Sequence, residues 1–340
     1  MNAVLLASAL LIGCLLAVQA SANLQLNKAV GTPYGASTLQ LWFAAVLLAV
    51  LAVAAGAGGA LGGVFDVPTW YLLGGLASPL YITSGILLFP RMGALAAGGL
   101  FVTGQMLASV AVDLFGLFGV PREPVGVGTV AGSFAVLVGI TTIIRGQQKA
   151  AALAAQTVAA TSGGSTGRGA LLTLGAASAS PAPVPGSGPV GAGWIALGVV
   201  AGAVLPVQGA INAQLRTALG EPIAVALVSF IVAALTISLV LATLLATRRT
   251  STPQLTPLRQ MPWWGWLGGA CAAGYVTGTF LLLPVIGAAV TVALTVTGQQ
   301  LASAAIDTGG WFRLPRRRFT ALRGTGLVLL IVGSALIELL

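Results

Sequence analysis

Gln19-Ala-Ser-Ala-Asn23-Leu-Gln25-Leu-Asn-Lys-Ala-Val-Gly31-Thr-Pro33 returns 189 residues later as Gln208-Gly-Ala-Ile-Asn212-Ala-Gln214-Leu-Arg-Thr-Ala-Leu-Gly220-Glu-Pro222. Each copy follows an apolar run and carries Gln and Asn at i and i+4, which puts both amides on one face of a helix. The recurrence reads as one unit written twice. Further on the halves stay in register at an offset of 194. Pro68-Thr-Trp70 matches Pro262-Trp-Trp264, Tyr81 matches Tyr275 and Pro90 matches Pro284. Thr103-Gly104-Gln105-Met-Leu-Ala108-Ser109-Val-Ala-Val-Asp113 matches Thr297-Gly298-Gln299-Gln-Leu-Ala302-Ser303-Ala-Ala-Ile-Asp307, and Pro121-Arg122 matches Pro315-Arg316. Gly132 and Gly139 then match Gly326 and Gly333.

Composition sets the class. The chain is 57% hydrophobic and only 6% charged, against about 25% charged in a usual soluble domain. That is a membrane protein. The net charge of +9 fits basic loops on one membrane side better than nucleic-acid binding. With no His, and with Cys14 and Cys271 inside apolar runs, neither a metal box nor a disulfide framework is indicated. Arg outnumbers Lys in an Ala-, Gly- and Val-rich chain, which points to a high-GC bacterial source.

Apolar segments of about 20 residues, the length that spans a bilayer as a helix, fall near 3–22, 36–57, 69–89, 93–113 and 126–144, then near 192–212, 223–246, 264–283, 287–306 and 322–339. The expected architecture is an all-α integral membrane protein of ten transmembrane helices in two inverted five-helix repeats, residues 1–145 and 191–340. Residues 146–190, rich in Ala, Gly, Ser, Thr and Pro, read as a flexible linker. Ala20-Ser21-Ala22 resembles a signal cleavage site, but no basic residue precedes it and it lies inside the repeat, so an uncleaved helix is expected.

An odd number of spans per repeat inserts the second copy upside down. Thirteen basic residues then lie on the linker side: Lys28, Arg91, Arg145, Lys149, Arg168, Arg248, Arg249, Arg259, Arg313, Arg316, Arg317, Arg318 and Arg323. Only Arg122 and Arg216 lie on the other. The positive-inside rule places the linker in the cytoplasm and both termini outside the inner membrane.

Inverted five-helix repeats suit alternating access, one repeat rocking against the other, with a solute site near the midplane. Gln19, Asn23, Gln208 and Asn212 must face the bundle interior, because an unpartnered amide in lipid is costly; they either contact solute or bind helix to helix. Gln105, Ser109 and Asp113 stand at i, i+4 and i+8, as do Gln299, Ser303 and Asp307, so each forms one polar stripe. The Gln and Ser residues of these stripes are candidates for lining a solute path. Asp113 and Asp307 are candidates for proton or ion coupling, or for gating; each ends its span nine residues before Arg122 or Arg316, so a closing ion pair is the other role open to it. Tyr81 and Tyr275 sit mid-span, available for packing or for solute contact. The glycine faces of the two fifth helices suit close helix approach, within the chain or across a homodimer. No catalytic constellation or cofactor pattern is present; the glycines at 56–63 follow a helix, not a strand.

The Gln-x-x-x-Asn block with its later Gly-x-Pro, together with Gly104-Gln105 through Asp113 and Pro121, resembles the YdcZ-like family, five-helix bacterial membrane proteins grouped with the drug/metabolite transporter superfamily. Two such units look fused here, the resemblance covering all but the linker. It implies a ten-helix inverted-repeat carrier of small molecules. Small multidrug members of the superfamily use a membrane-embedded Glu in the first helix. Neither first helix here has a carboxylate, so the amides favour a neutral polar or zwitterionic solute. The competing expectation is a non-transporting membrane scaffold.

Overall fold

The computed structural model describes residues 3–122, 124, 126–163, 191–286 and 288–339. Among these, all regular structure is helical. The helices are α1 (Ala3–Val30), α2 (Pro33–Ala54), α3 (Ala77–Phe115), α4 (Val127–Gly163), α5 (Ala192–Leu219), α6 (Pro222–Ala246), α7 (Leu267–Ile286), α8 (Ala288–Gly309) and α9 (Ala321–Leu339). Six segments among the described residues are long and apolar enough to cross a membrane.

The repeated Gly-x-Pro is a helix stop followed by a helix start. Gly31 and Gly220 adopt φ of 80° and 69° beyond α1 and α5, where a missing Cβ makes the left-handed turn cheap. Pro33 and Pro222 occupy the first positions of α2 and α6, where the missing N–H would be unpaired anyway. Consequently α1 and α5 run well past the expected ends at 22 and 212. Lys28 falls in the last turn of α1 rather than in a loop. The helix α4 likewise continues through Gly163, into the stretch read as linker; residues 164–190 lie outside the described residues.

Gly93 breaks α3 at φ 82°, ψ 167°. This backbone region is open essentially to glycine alone, so 77–92 and 94–115 form two arms, as the sequence spans anticipated. The equivalent Gly287 lies outside the described residues.

The halves interlock. Helix α1 lies against α7 and α8, α5 against α3, α2 against α6 and α4 against α9. The tight spots repeat with the sequence offsets. The open side of Gly13 faces the Thr295 carbonyl and that of Gly298 the Leu10 carbonyl, as Gly202 faces Phe101 and Gly104 faces Val199. Phe118 and Phe312 share the same left-handed turn, at φ 57° and 56°.

The fifth-helix glycines meet each other within the chain. A Cβ at Gly139 would lie 2.9 Å from the Gly326 carbonyl oxygen, and one at Gly132 would lie 2.5 Å from that of Gly333, so α4 and α9 cross antiparallel at backbone contact. Gly326→Ala, whose Cβ would come within 2.6 Å of the Gly139 oxygen, is therefore expected to destabilise by about 1–3 kcal/mol. The check is a lower Tm for the purified protein, compared with Gly193→Ala, where nothing lies within 4 Å.

Candidate functional site

A cavity of about 400 Å³ lies between α1, both arms of α3, and α5 to α8. The stripe Gln105, Ser109 and Asp113 lines it along the second arm of α3, and Gln208, Asn212 and Arg216 line it at the same i, i+4, i+8 spacing on α5. Asp113 and Arg216 stand in the last turns of their helices, beside Val120 of the following loop, and mark the mouth. Gln19, Tyr81, Tyr275 and Gln299 border the inner part. Most other wall groups are apolar, among them Leu16, Ile82, Phe230, Phe280 and Val296.

Hydrogen bonds order this wall unequally. Gln208 Nε2 donates to the hydroxyls of Ser78 and Ser229 at 3.0 and 3.2 Å, and Asn212 Nδ2 donates to Ser229 at 3.2 Å. Gln299 Nε2 donates to the Tyr81 hydroxyl at 3.2 Å, while the Tyr81 ring packs on Phe101 with centroids 4.8 Å apart. Gln105 Nε2 and Gln299 Oε1 are buried without a partner.

Three expected site residues, Asn23, Ser303 and the coupling or gating candidate Asp307, do not border the cavity. Asn23 is buried and donates to Gln40 Oε1 at 3.1 Å, so it binds helix to helix. Ser303 is fully buried beneath Gly98, its hydroxyl unpartnered. Asp307 is sealed at the far end.

That seal is built on the α3 break. With Gly93 turned out of the helix, the amides of Ala94 and Leu95 begin a new one and donate to Asp307 Oδ1 and Oδ2 at 2.7 and 3.2 Å, where the helix dipole also favours a carboxylate. Arg323 Nη2 pairs with Asp307 Oδ2 at 2.5 Å, both side chains 1% exposed. Arg323 Nη1 reaches the carbonyl of Arg318 at 3.0 Å, and the Arg317 amide donates to the Asp307 carbonyl at 2.8 Å. Burial pushes the Arg317 guanidinium below its ordinary range, against the opposing pull of Asp307. Gln25 donates to the Phe312 carbonyl at 2.9 Å, and Trp264 meets Phe312 edge-on.

The closing ion pair was anticipated, but with Arg316. Its partner is instead Arg323, counted in the sequence as a loop charge and found buried in the first turn of α9. The signal was an arginine against an apolar span, which needs a counter-charge. The repeat hid it, because the positions equivalent to Arg317 and Arg323 are Glu123 and Thr129. Arg216 and Ser78 were also missed.

Several helix ends and loops meet directly. Thr32 bonds Thr250 at 2.9 Å, the Gln254 amide donates to the Val30 carbonyl at 2.9 Å, and Arg91 lies 4.1 Å over the Trp194 ring. The loops after α1 and α6 thus meet, as do the α3 break and the start of α5.

A family model described as "Putative inner membrane exporter, YdcZ" matches twice, over residues 4–142 and 193–336, which is the fused duplicate that the repeat implied. Among curated proteins none matches. Four chains of solved structures match. One, described as "Crystal structure of protein", is 18% identical, covers 98% of both chains and has a TM-score of 0.51; at that identity the likeness is one of fold.

Proposed function

Because this chain belongs to the YdcZ-like family of the drug/metabolite transporter superfamily, we propose that it is a secondary transporter that carries a small polar or zwitterionic solute by alternating access. The observation that carries this proposal is the unequal state of one repeated stripe. On α3, Gln105, Ser109 and Asp113 line an open cavity; on α8, Ser303 and Asp307 are closed off, with the Ser303 hydroxyl buried and unpartnered. A buried polar group without a partner is costly. It makes sense where the stripe is wetted in a second state that opens the other end.

The architecture consistent with such exchange is ten spans in two inverted repeats. The division of α3 at Gly93, the recurrence of the tight contacts at matching offsets and the antiparallel crossing of α4 on α9 all support it. Since α1 is seated on α7 and α8, and α5 on α3, the bodies that rock are these interlocked groups and not the first repeat against the second. The basic linker end faces the cytoplasm of the bacterial inner membrane by the positive-inside rule, so the conformer described is open outward and closed inward. The family's description as an exporter favours outward movement of solute.

Flux into proteoliposomes tests this. Purified full-length protein should exchange at least one member of a panel of small polar and zwitterionic solutes, and Gln105→Leu with Gln299→Leu should cut that exchange about tenfold or more. The comparison is made on folded protein, since Gln299→Leu also removes the donor to the buried Tyr81 hydroxyl and so costs some stability. Absence of flux across the whole panel in folded protein would leave a scaffold as the better account.

A further inference from the structure

We propose that the inner end of the cavity recognises an uncharged carboxamide-type group, an amide, lactam or urea, on a small solute with an apolar body; this rests on the cavity being the carrier's solute site and selects the neutral polar class over the zwitterionic one. Free hydrogen-bonding capacity is present there. Gln19 makes no hydrogen bond among the described residues and borders the cavity. Gln105 offers an unpartnered Nε2 donor and Gln299 an unpartnered Oε1 acceptor. Tyr81 accepts from Gln299, which leaves its own proton to donate.

The repeat shows that this openness is specific to one half. Gln208, the equivalent of Gln19, is tied by Ser78 and Ser229. The residues at the matching positions around Gln19 are Ala272 and Gln40. Alanine cannot bond, and Gln40 accepts from Asn23. One glutamine is thereby structural and its twin is left facing the cavity.

Charge argues the same way. The carboxylate and guanidinium that border the cavity are Asp113 and Arg216, both at the mouth. A cation or anion at the inner end would lose its water and meet no counter-ion. A primary or cyclic amide both donates and accepts, so it offers a donor for Gln299 Oε1 and an acceptor for Gln105 Nε2, while Leu16, Ile82, Phe230 and Phe280 provide an apolar wall for the rest of the molecule.

Three probes of one shape test the class: 3-phenylpropanamide, 3-phenylpropylamine as the cation and 3-phenylpropanoate as the anion. Each is titrated calorimetrically against the full-length protein in lipid nanodiscs at neutral pH. The amide should bind at least tenfold tighter than either ion. Gln105→Leu and Gln299→Leu should each weaken it about tenfold in protein that stays folded, Gln105→Leu without lowering the Tm of the ligand-free protein. The proposal is overturned if either ion binds as well as the amide, if both variants bind the amide like the parent, or if none of the probes binds folded protein. Amide binding without any flux would sink the carrier and leave the subsite; flux of charged solutes without amide binding would do the reverse.

Discussion

Arg323→Ala is expected to lower stability by about 3–5 kcal/mol, the range for removing one partner of a buried ion pair. Asp307 would stay 1% exposed, still held by the Ala94 and Leu95 amides but without its counter-ion, and those two amides favour the lower part of the range. The Nη1 hydrogen bonds of Arg323 to the carbonyls of Arg317 and Arg318 disappear as well. Thermal unfolding of the purified variant reads the loss. The double substitution Asp307→Asn with Arg323→Leu should recover much of it, because removing both charges abolishes the unpaired carboxylate. A single variant as stable as the parent would mean that the pair does not hold this end shut.

Gly93→Ala is expected to cost about 2–4 kcal/mol from two sources. The backbone at φ 82°, ψ 167° disfavours any Cβ by about 1–3 kcal/mol. The added carbon would also stand 2.6 Å from Arg317 Nε and 2.8 Å from Asp307 Oδ2, inside the seal itself. Gly98→Ala, one turn and a half along the same arm, is the control. Its Cβ would meet only the side chains of Ser303 and Gln300, at 3.2 and 3.3 Å, which yield by small shifts. Equal Tm values for the two variants would contradict the importance of the break.

What the sequence disclosed and what it hid divide along the repeat. The Gly-x-Pro punctuation and the Gln-Ser-Asp stripes were legible because each occurs twice at a constant offset, and hydrophobic run length marked the chain as a bundle of apolar helices. The ends of α1 and α5 were misjudged because the turns after Asn23 and Asn212 are too polar to count as span, yet the helices continue to Val30 and Leu219, with Leu24, Gln25, Leu26 and Val30 buried in α1 and Leu215 in α5. The site was hidden wherever the halves differ. Periodicity treats Ser109 and Ser303 alike, but only tertiary packing leaves one beside a cavity and the other beneath Gly98. The closing pair was obscured for the same reason: Arg323 answers Asp307, and its repeat position holds Thr129, so no recurrence flagged it. Ser78 and Ser229, which decide that Gln208 is tied, stand against Ala272 and Gln40 in the other copy, and a lone serine within an apolar run carries no pattern.

The path is tested most directly by labelling single cysteines, placed as Ser109→Cys and Ser303→Cys with Cys14 and Cys271 replaced by Ala, in vesicles of known orientation. An impermeant thiol reagent on the side of the mouth should label position 109 quickly, and reagent on the linker side should label position 303 slowly in the parent background and many times faster when Arg323→Ala is added. If position 303 stays unreactive from the linker side even in folded Arg323→Ala protein, no second opening exists and alternating access is wrong.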